Sequence, residues 1–314
     1  MSVVILIFAM FIIYLVMYNL PQSYAESTAL ELATRPGNMK SADEWLEELN
    51  AEYGLNKGPF KGYVTWLSTA VKGDFGDSWW WSIPVTEKFR QVIWNSFYLS
   101  LIAFVLQVLI AVPLGVYAAR KQYSLTDYSV TVISLIGISM PTFFVATVLK
   151  MIFAVKLDWL PPFGMETARL EGQLVGFDKF LDSAKHFILP AITLVVIGIG
   201  SLMRYTRTNM LEVLNADYIR TARAKGLPES KVINKHAFRN TLIPLVTILG
   251  GSLPGLFSGA LITETLFSIR GIGYISYYSM IGGDIPFTMF YLAFSAILIL
   301  LGNLIADVLY AVVD

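Results

Sequence analysis

Apolar residues fall along this chain in long blocks separated by polar stretches. The blocks cover residues 3–20 (VVILIFAMFIIYLVMYNL), about 97–119, about 129–155, about 188–203, about 241–263 and about 287–311. Each approaches the roughly 20 residues that an α-helix needs to cross about 30 Å of hydrocarbon. The pattern therefore predicts an all-α integral membrane protein with about six transmembrane helices. The 188–203 block is the least regular, since it holds Pro190, Gly198 and Gly200, but membrane helices accept both residue types more readily than soluble ones do. The first block has a rival reading as a signal peptide, with small residues at Ser23-Tyr24-Ala25. No basic residue precedes it, so it is read as a retained helix, 1–20.

The polar stretches divide the rest. Residues 21–95 form a solvated insert, in which SADEWLEELNAEYGL (41–55) predicts a helix. Ser41 and Glu44 are spaced as a reciprocal cap, Trp45, Leu46, Leu49 and Tyr53 share a face, and Gly54 ends it. Trp79, Trp80 and Trp81 suit either a lipid–water boundary or a local aromatic cluster within the insert. The core membrane domain, 96–314, contains a polar segment at 204–239 that is longer than a simple connection requires. In it Met210, Leu211, Leu214, Tyr218 and Ala222 recur at helical spacing, Gly226 interrupts, and Pro228-Glu229 restarts a second short helix. The expected shape is a protruding knob that docks into a groove on a soluble partner.

Charge sets the orientation. With the amino terminus inside, loops 120–128 and 204–239 carry ten basic and four acidic residues, whereas 21–94 and 157–187 carry ten basic and fifteen acidic. Lys and Arg concentrate on the cytoplasmic side of membrane proteins, which makes 21–95 extracytoplasmic and 204–239 cytoplasmic. Net charge is zero and cysteine is absent, so there is no case for nucleic acid, a disulfide or a thiolate nucleophile. The dipeptide Gly-Lys of a phosphate-binding loop does not occur, and His186 and His236 are the only histidines. No catalytic or metal site is expected.

Arg220-Thr221-Ala222-x-x-x-Gly226 and, after nine further residues, His236-Ala237-Phe238-Arg239 resemble the "EAA" loop of permease subunits of ABC importers, in the form found in the oligopeptide/dipeptide branch. GDFGDS (73–78), VPLGVYAAR (112–120), GISMPTFF (137–144), EVLNADYIRTARAKGL (212–227), KHAFRNTLIPLV (235–246), ETLFSIRGIG (264–273), GGDIP (282–286) and DVLYAVVD (307–314) resemble that branch in order, from about residue 36 onward. Arg220 and Arg239 depart from the general importer motif, which has Glu and Pro there. The resemblance implies a type I importer permease in the cell membrane, forming half of a translocation pathway for oligopeptides or dipeptides. Its implied partners are a second homologous permease, two cytoplasmic ATP-binding subunits and an extracytoplasmic substrate-binding protein. ATP and Mg would be bound by those ATPase subunits, so no cofactor is expected in this chain.

The coupling residues would be Asp217, Tyr218, Arg220, Thr221, Ala222, Lys225 and Gly226. Gly251, Gly255 and Gly259 form a spacing suited to close helix packing, against a companion permease or within the chain. Ser139 and Thr142, beside Pro141, are weak candidates for lining the passage. The same branch also carries nickel, glutathione and sugar oligomers. Two further classes are a proton-coupled secondary transporter and a non-transporting scaffold. Against the former, the spans hold only Lys150, placed to snorkel outward, and Asp307 near an end.

Overall fold

The computed structural model describes residues 2–19, 24–170 and 172–313. Ser23, part of the candidate cleavage site, lies outside them. Among the described residues, four helices are long and apolar enough to cross a membrane: Val85–Arg120, Gly176–Leu214, Glu229–Phe257 and Ile285–Val312. Leu125–Ser139 and Thr142–Lys156 are together long and apolar enough as a pair, bent by 103° at the break between them. The first helix, α1 (Ser2–Tyr18), is apolar throughout but shorter.

The insert folds as three helices against α1. They are α2 (Tyr24–Thr34), α3 (Ala42–Glu52) and α4 (Pro59–Ala70). The Ser41–Glu44 capping box forms in both directions, at 3.2 and 2.7 Å. Leu49, with Trp45, Leu46 and Tyr53, packs on Ala25 and Ala29 of α2. Tyr63 of α4 donates to the Ile7 carbonyl at 2.6 Å, and Tyr18 of α1 donates to the Leu55 carbonyl at 2.8 Å. Gly62 leaves room for the Tyr14 ring. Of the two readings of the tryptophans, the local cluster forms: Trp79 stacks on Tyr53 at 4.5 Å, and Trp81 donates to Ser279 at 3.2 Å.

α5 (Val85–Arg120) and α8 (Gly176–Leu214) run side by side as the central pair. Gln107 donates to the Leu194 carbonyl at 2.8 Å. Further along, Gly115 faces Thr206, where a Cβ would come within 2.7 Å. α6 (Leu125–Ser139) packs on the other side of α8. A Cβ on Gly137 would lie 2.9 Å from the Val196 carbonyl, and one on Gly200 would collide with the carbonyl of Ser134.

The fourth apolar block is thus no weak span. Its helix extends from Gly176 to Leu214, because the polar residues flanking 188–203 continue the helical period, and the glycines serve close packing. Pro190 sits inside that helix unbroken. Pro141 behaves differently: Met140 turns extended (ψ 128°), and α7 (Thr142–Leu149) restarts in a new direction before a π-helical run, Lys150–Lys156. Lys150 reaches the end of the Leu261–Phe267 helix. Its ammonium donates to the Leu266 carbonyl at 2.8 Å.

α9 (Asp217–Ala224) follows α8, and α10 (Glu229–Lys231) runs through a π-helical segment, Val232–Ala237, into α11 (Phe238–Ser252). Three helices close the chain: α12 (Leu261–Phe267), α13 (Ile272–Ile281) and α14 (Ile285–Val313). Replacing Gly200 with Val should force α6 from α8 and cost roughly 1–3 kcal/mol by overpacking. A lower thermal transition of the purified protein in detergent is expected, with Ser201→Val, at an exposed neighbour, close to unchanged.

Candidate functional site

The 204–239 segment does not begin as a loop, since α8 continues through it to Leu214. Beyond that, α9 lies across the chain's own helices. Ile219 (0% exposed) and Ala222 (7%) pack with Met210, Val232, Ile233, Ala237 and Ala119. Ala222 therefore faces the chain's own core, and Ile219 rather than Tyr218 completes the apolar stripe; Tyr218 is half exposed. Asp217, Tyr218, Arg220, Thr221, Lys225 and Gly226 form the outward surface. Gly226 has φ +71°, a left-handed conformation that glycine adopts without strain. Arg223 and Glu229 form an ion pair at 2.8 Å across that turn. The second helix is not short, because α10 continues into α11 as the span Glu229–Phe257.

The three spaced glycines have different surroundings. Gly251 meets Gly302 and Ala306 of α14, with a Cβ separation of 3.0 Å from Ala306. Gly255, in a 3-10 turn, has open space, and Gly259 has φ +80° and touches Gly273. Ser139, Met140 and Pro141 are all exposed at the break between α6 and α7, as are Phe143 and Phe144. Thr142 there is half buried.

Comparison with known proteins places this architecture. The family model "Binding-protein-dependent transport system inner membrane component" matches residues 111–314. The oligopeptide transport system permease protein AppB of Bacillus subtilis (strain 168) is 41% identical over 269 residues, covering 85% of this chain and 83% of that protein. The chain belongs to this family. The dipeptide transport system permease protein DppB of Escherichia coli (strain K12) is 36% identical, over 85% of this chain and 83% of that protein. In fold, the chain resembles a chain of the MetNI methionine ABC transporter in an inward-facing conformation. The TM-score is 0.55 at 17% identity, covering 73% of this chain and 97% of that one. The protein is thus a membrane permease subunit of an ABC importer that works with other transporter subunits, and ATP hydrolysis belongs to those partners.

Two motifs that carried the family resemblance are built around carboxylates the sequence reading did not single out. Glu264, fully buried, accepts from Ser96 Oγ at 2.7 Å and from the Ala260 and Tyr274 backbone N–H groups, each at 2.9 Å. Ser96 Oγ in turn accepts from the Ile272 N–H at 2.7 Å. A Cβ on Gly271 would strike Ser96, and one on Gly273 would lie 2.8 Å from the Leu261 nitrogen, so the glycines of ETLFSIRGIG let the chain close over the carboxylate. Asp284 of GGDIP is also fully buried. It takes a hydrogen bond from the Ser78 hydroxyl of GDFGDS and others from the Trp79, Trp80 and Phe287 N–H groups. Burial pushes the Asp284 carboxyl above the usual carboxylate range, while those donors pull the other way. The available signal was an acidic residue inside an otherwise apolar or glycine-rich motif.

A third carboxylate, Asp127, joins Arg207 in a two-pronged ion pair at the opposite end of the bundle. Glu264→Ala should orphan the donors around it, at about 1–3 kcal/mol for each group left unpaired. A clear fall in the thermal transition is expected. Glu264→Gln, which keeps one acceptor oxygen, should fall less.

Proposed function

We propose that this permease forms half of a peptide-conducting passage, with a second homologous permease beside it, two cytoplasmic ATP-binding subunits on the α9 knob, and an external substrate-binding protein on the face carrying the insert. Oligopeptides or dipeptides are the cargo, in keeping with the named transport roles of its relatives. Insert helices α2 to α4 lie extracytoplasmically and 204–239 lies inside, following the distribution of Lys and Arg.

The knob carries the reading. Its inner face is fused by apolar packing to α8 and to the segment that leads into α11, while its outer face is polar and unencumbered. A push delivered there reaches two membrane helices without passing through a flexible joint, because the Arg223–Glu229 pair braces the only glycine turn. Helix α9 is thereby a mechanical contact rather than a reactive site.

The break at Met140–Pro141 supports the passage side. Backbone freed from helical bonding is unfavourable against lipid and persists where it meets protein or water. Ser139 and Thr142 at this break then line the passage or its seam with the second permease.

Two experiments test the assignment. Uptake of labelled peptides into cells lacking the permease gene should return on expression of the intact chain, and absence of any uptake would overturn the cargo reading. In the reconstituted complex, Gly226→Val should uncouple ATP hydrolysis from transport, since a β-branched residue is strained at φ +71°. Tyr218→Ala and Arg220→Glu, on the exposed face, should reduce co-purification of the ATPase subunits while the permease keeps its thermal transition. Ala222→Asp, by contrast, should destabilise the permease itself.

A further inference from the structure

At the insert end of the bundle, a cavity of about 810 Å³ lies between residues 161–168 and the turn joining α12 to α13. Phe163, Glu166, Lys179, His186, Arg270 and Tyr274 are among its lining residues. This volume falls within the range of small-ligand sites. The Gly164 N–H bonds to the Phe267 carbonyl at 2.8 Å, which fastens the segment to the end of α12. Thr167 bonds through both its N–H and its hydroxyl to Asp182, at 2.7 and 2.6 Å. The walls are thus built from hydrogen-bonded elements.

The charges inside do not balance. Glu166 is neutralised by Lys179 at 2.9 Å. Arg270 is exposed, and among the described residues it forms none of the ion pairs. Lys88 stands near enough for its charge to repel that of Arg270, and it rests over the Trp81 ring at 3.8 Å. Arg270 thus lines the cavity with a second cation, Lys88, in its neighbourhood.

The mount of Arg270 is unusually fixed. Ser268, two residues before it, is held left-handed at φ +53°. Strain of that kind persists where surrounding structure imposes it. The Ile269 N–H bonds to the Glu264 carbonyl at 2.9 Å, the Arg270 carbonyl accepts from Asn95 at 2.8 Å, and Gly271 closes against the Glu264 cage. A hydrogen-bonded turn thus carries Arg270 into a cavity also lined by Phe163 and Tyr274. A guanidinium fork matches a carboxylate with two parallel hydrogen bonds, and a fixed mount lowers the ordering cost of binding.

We propose that Arg270, with Lys88 beside it, receives the free C-terminal carboxylate of the peptide cargo in this cavity before the cargo enters the passage. This rests on the peptide-importer reading and on the outward placement of the insert end. A concave chamber of this size suits a small ligand rather than a protein surface.

The test uses the complete transporter in proteoliposomes with its binding protein and a pair of tripeptides, one with a free carboxylate and one C-terminally amidated. Arg270→Gln should raise KM for the free-carboxylate tripeptide about tenfold, the scale of one charge-assisted hydrogen bond. KM for the amide should scarcely change, and Arg270→Lys should recover part of the loss. Unchanged KM for both peptides would overturn the proposal, as would an equal loss for both accompanied by weaker association of the binding protein. If the intact transporter carries neither peptide, the cargo reading itself fails, a result distinct from a variant that carries both normally. Thermal transition and subunit co-purification show that the variant complexes are assembled.

Discussion

Burying a carboxylate without a cation beside it is unfavourable unless every lone pair is met by a donor, and this permease does so twice at one end of its bundle. Glu264 and Asp284 are enclosed by neutral donors drawn from distant parts of the chain. Glu264 binds α5 to the α12–α13 turn, and Asp284 binds the insert's SWWW turn to the start of α14. Each cage works only because of what lies beside it. Gly271 and Gly273 admit Glu264, and the Trp80 ring occupies the space that a side chain on Gly282 would need. A lost donor in either cage would leave a buried carboxyl oxygen without its hydrogen-bond partner. These two residues hold the insert and the connecting helices in register with the spans.

The other end is held by a different device. Asp127 and Arg207 pair directly, so α6 and α8 are joined through opposite charges rather than through backbone donors. Between the two ends, apart from the Gln107 hydrogen bond to the Leu194 carbonyl, close approaches are made by glycines, as at Gly137, Gly200 and Gly115. Close approach without interlocking side chains lets helices shift by small amounts, whereas charged cages do not. Stiff ends and smoother middles are what a subunit needs if it is to move as a few rigid rods.

The span pattern was legible because lipid demands long apolar runs, and those runs were visible as blocks. Proline shows where that legibility ends. Pro190 and Pro141 both interrupt apolar sequence, yet only Pro141 breaks its helix. Leu189, Pro190 and Ala191 are buried among neighbouring helices, and such neighbours can support the carbonyl that proline leaves unbonded. Ser139 to Pro141 are exposed, with no such support from the chain. The deciding factor is what packs on the proline, which a single sequence does not contain. The knob illustrates the same limit at finer scale. Spacing put Tyr218 and Ala222 together on one face, but the true stripe is Ile219 with Ala222, one residue out of step at its start. The α9 helix begins anew at Asp217, so the period carried over from α8 does not apply to it. The buried carboxylates were missed for a related reason. An acidic residue reads as solvated until the donors that surround it, such as Ser96 and Ser78, are brought in from 168 and 206 residues away.

These features constrain how force could travel in the proposed assembly. The knob is packed on α8 and on the segment that continues into α11, so those two must move together. α8 is in turn clamped to α6 by Asp127–Arg207 near the knob, and it lies against α5 along most of its length. At the far end, α5 is tied to α12 and α13 by Glu264. The 103° break between α6 and α7 is where this chain of rigid attachments is interrupted. A displacement entering at α9 would reach α6 through the ion pair and would be taken up at Met140–Pro141. That is where the structure offers a bend in place of a cage.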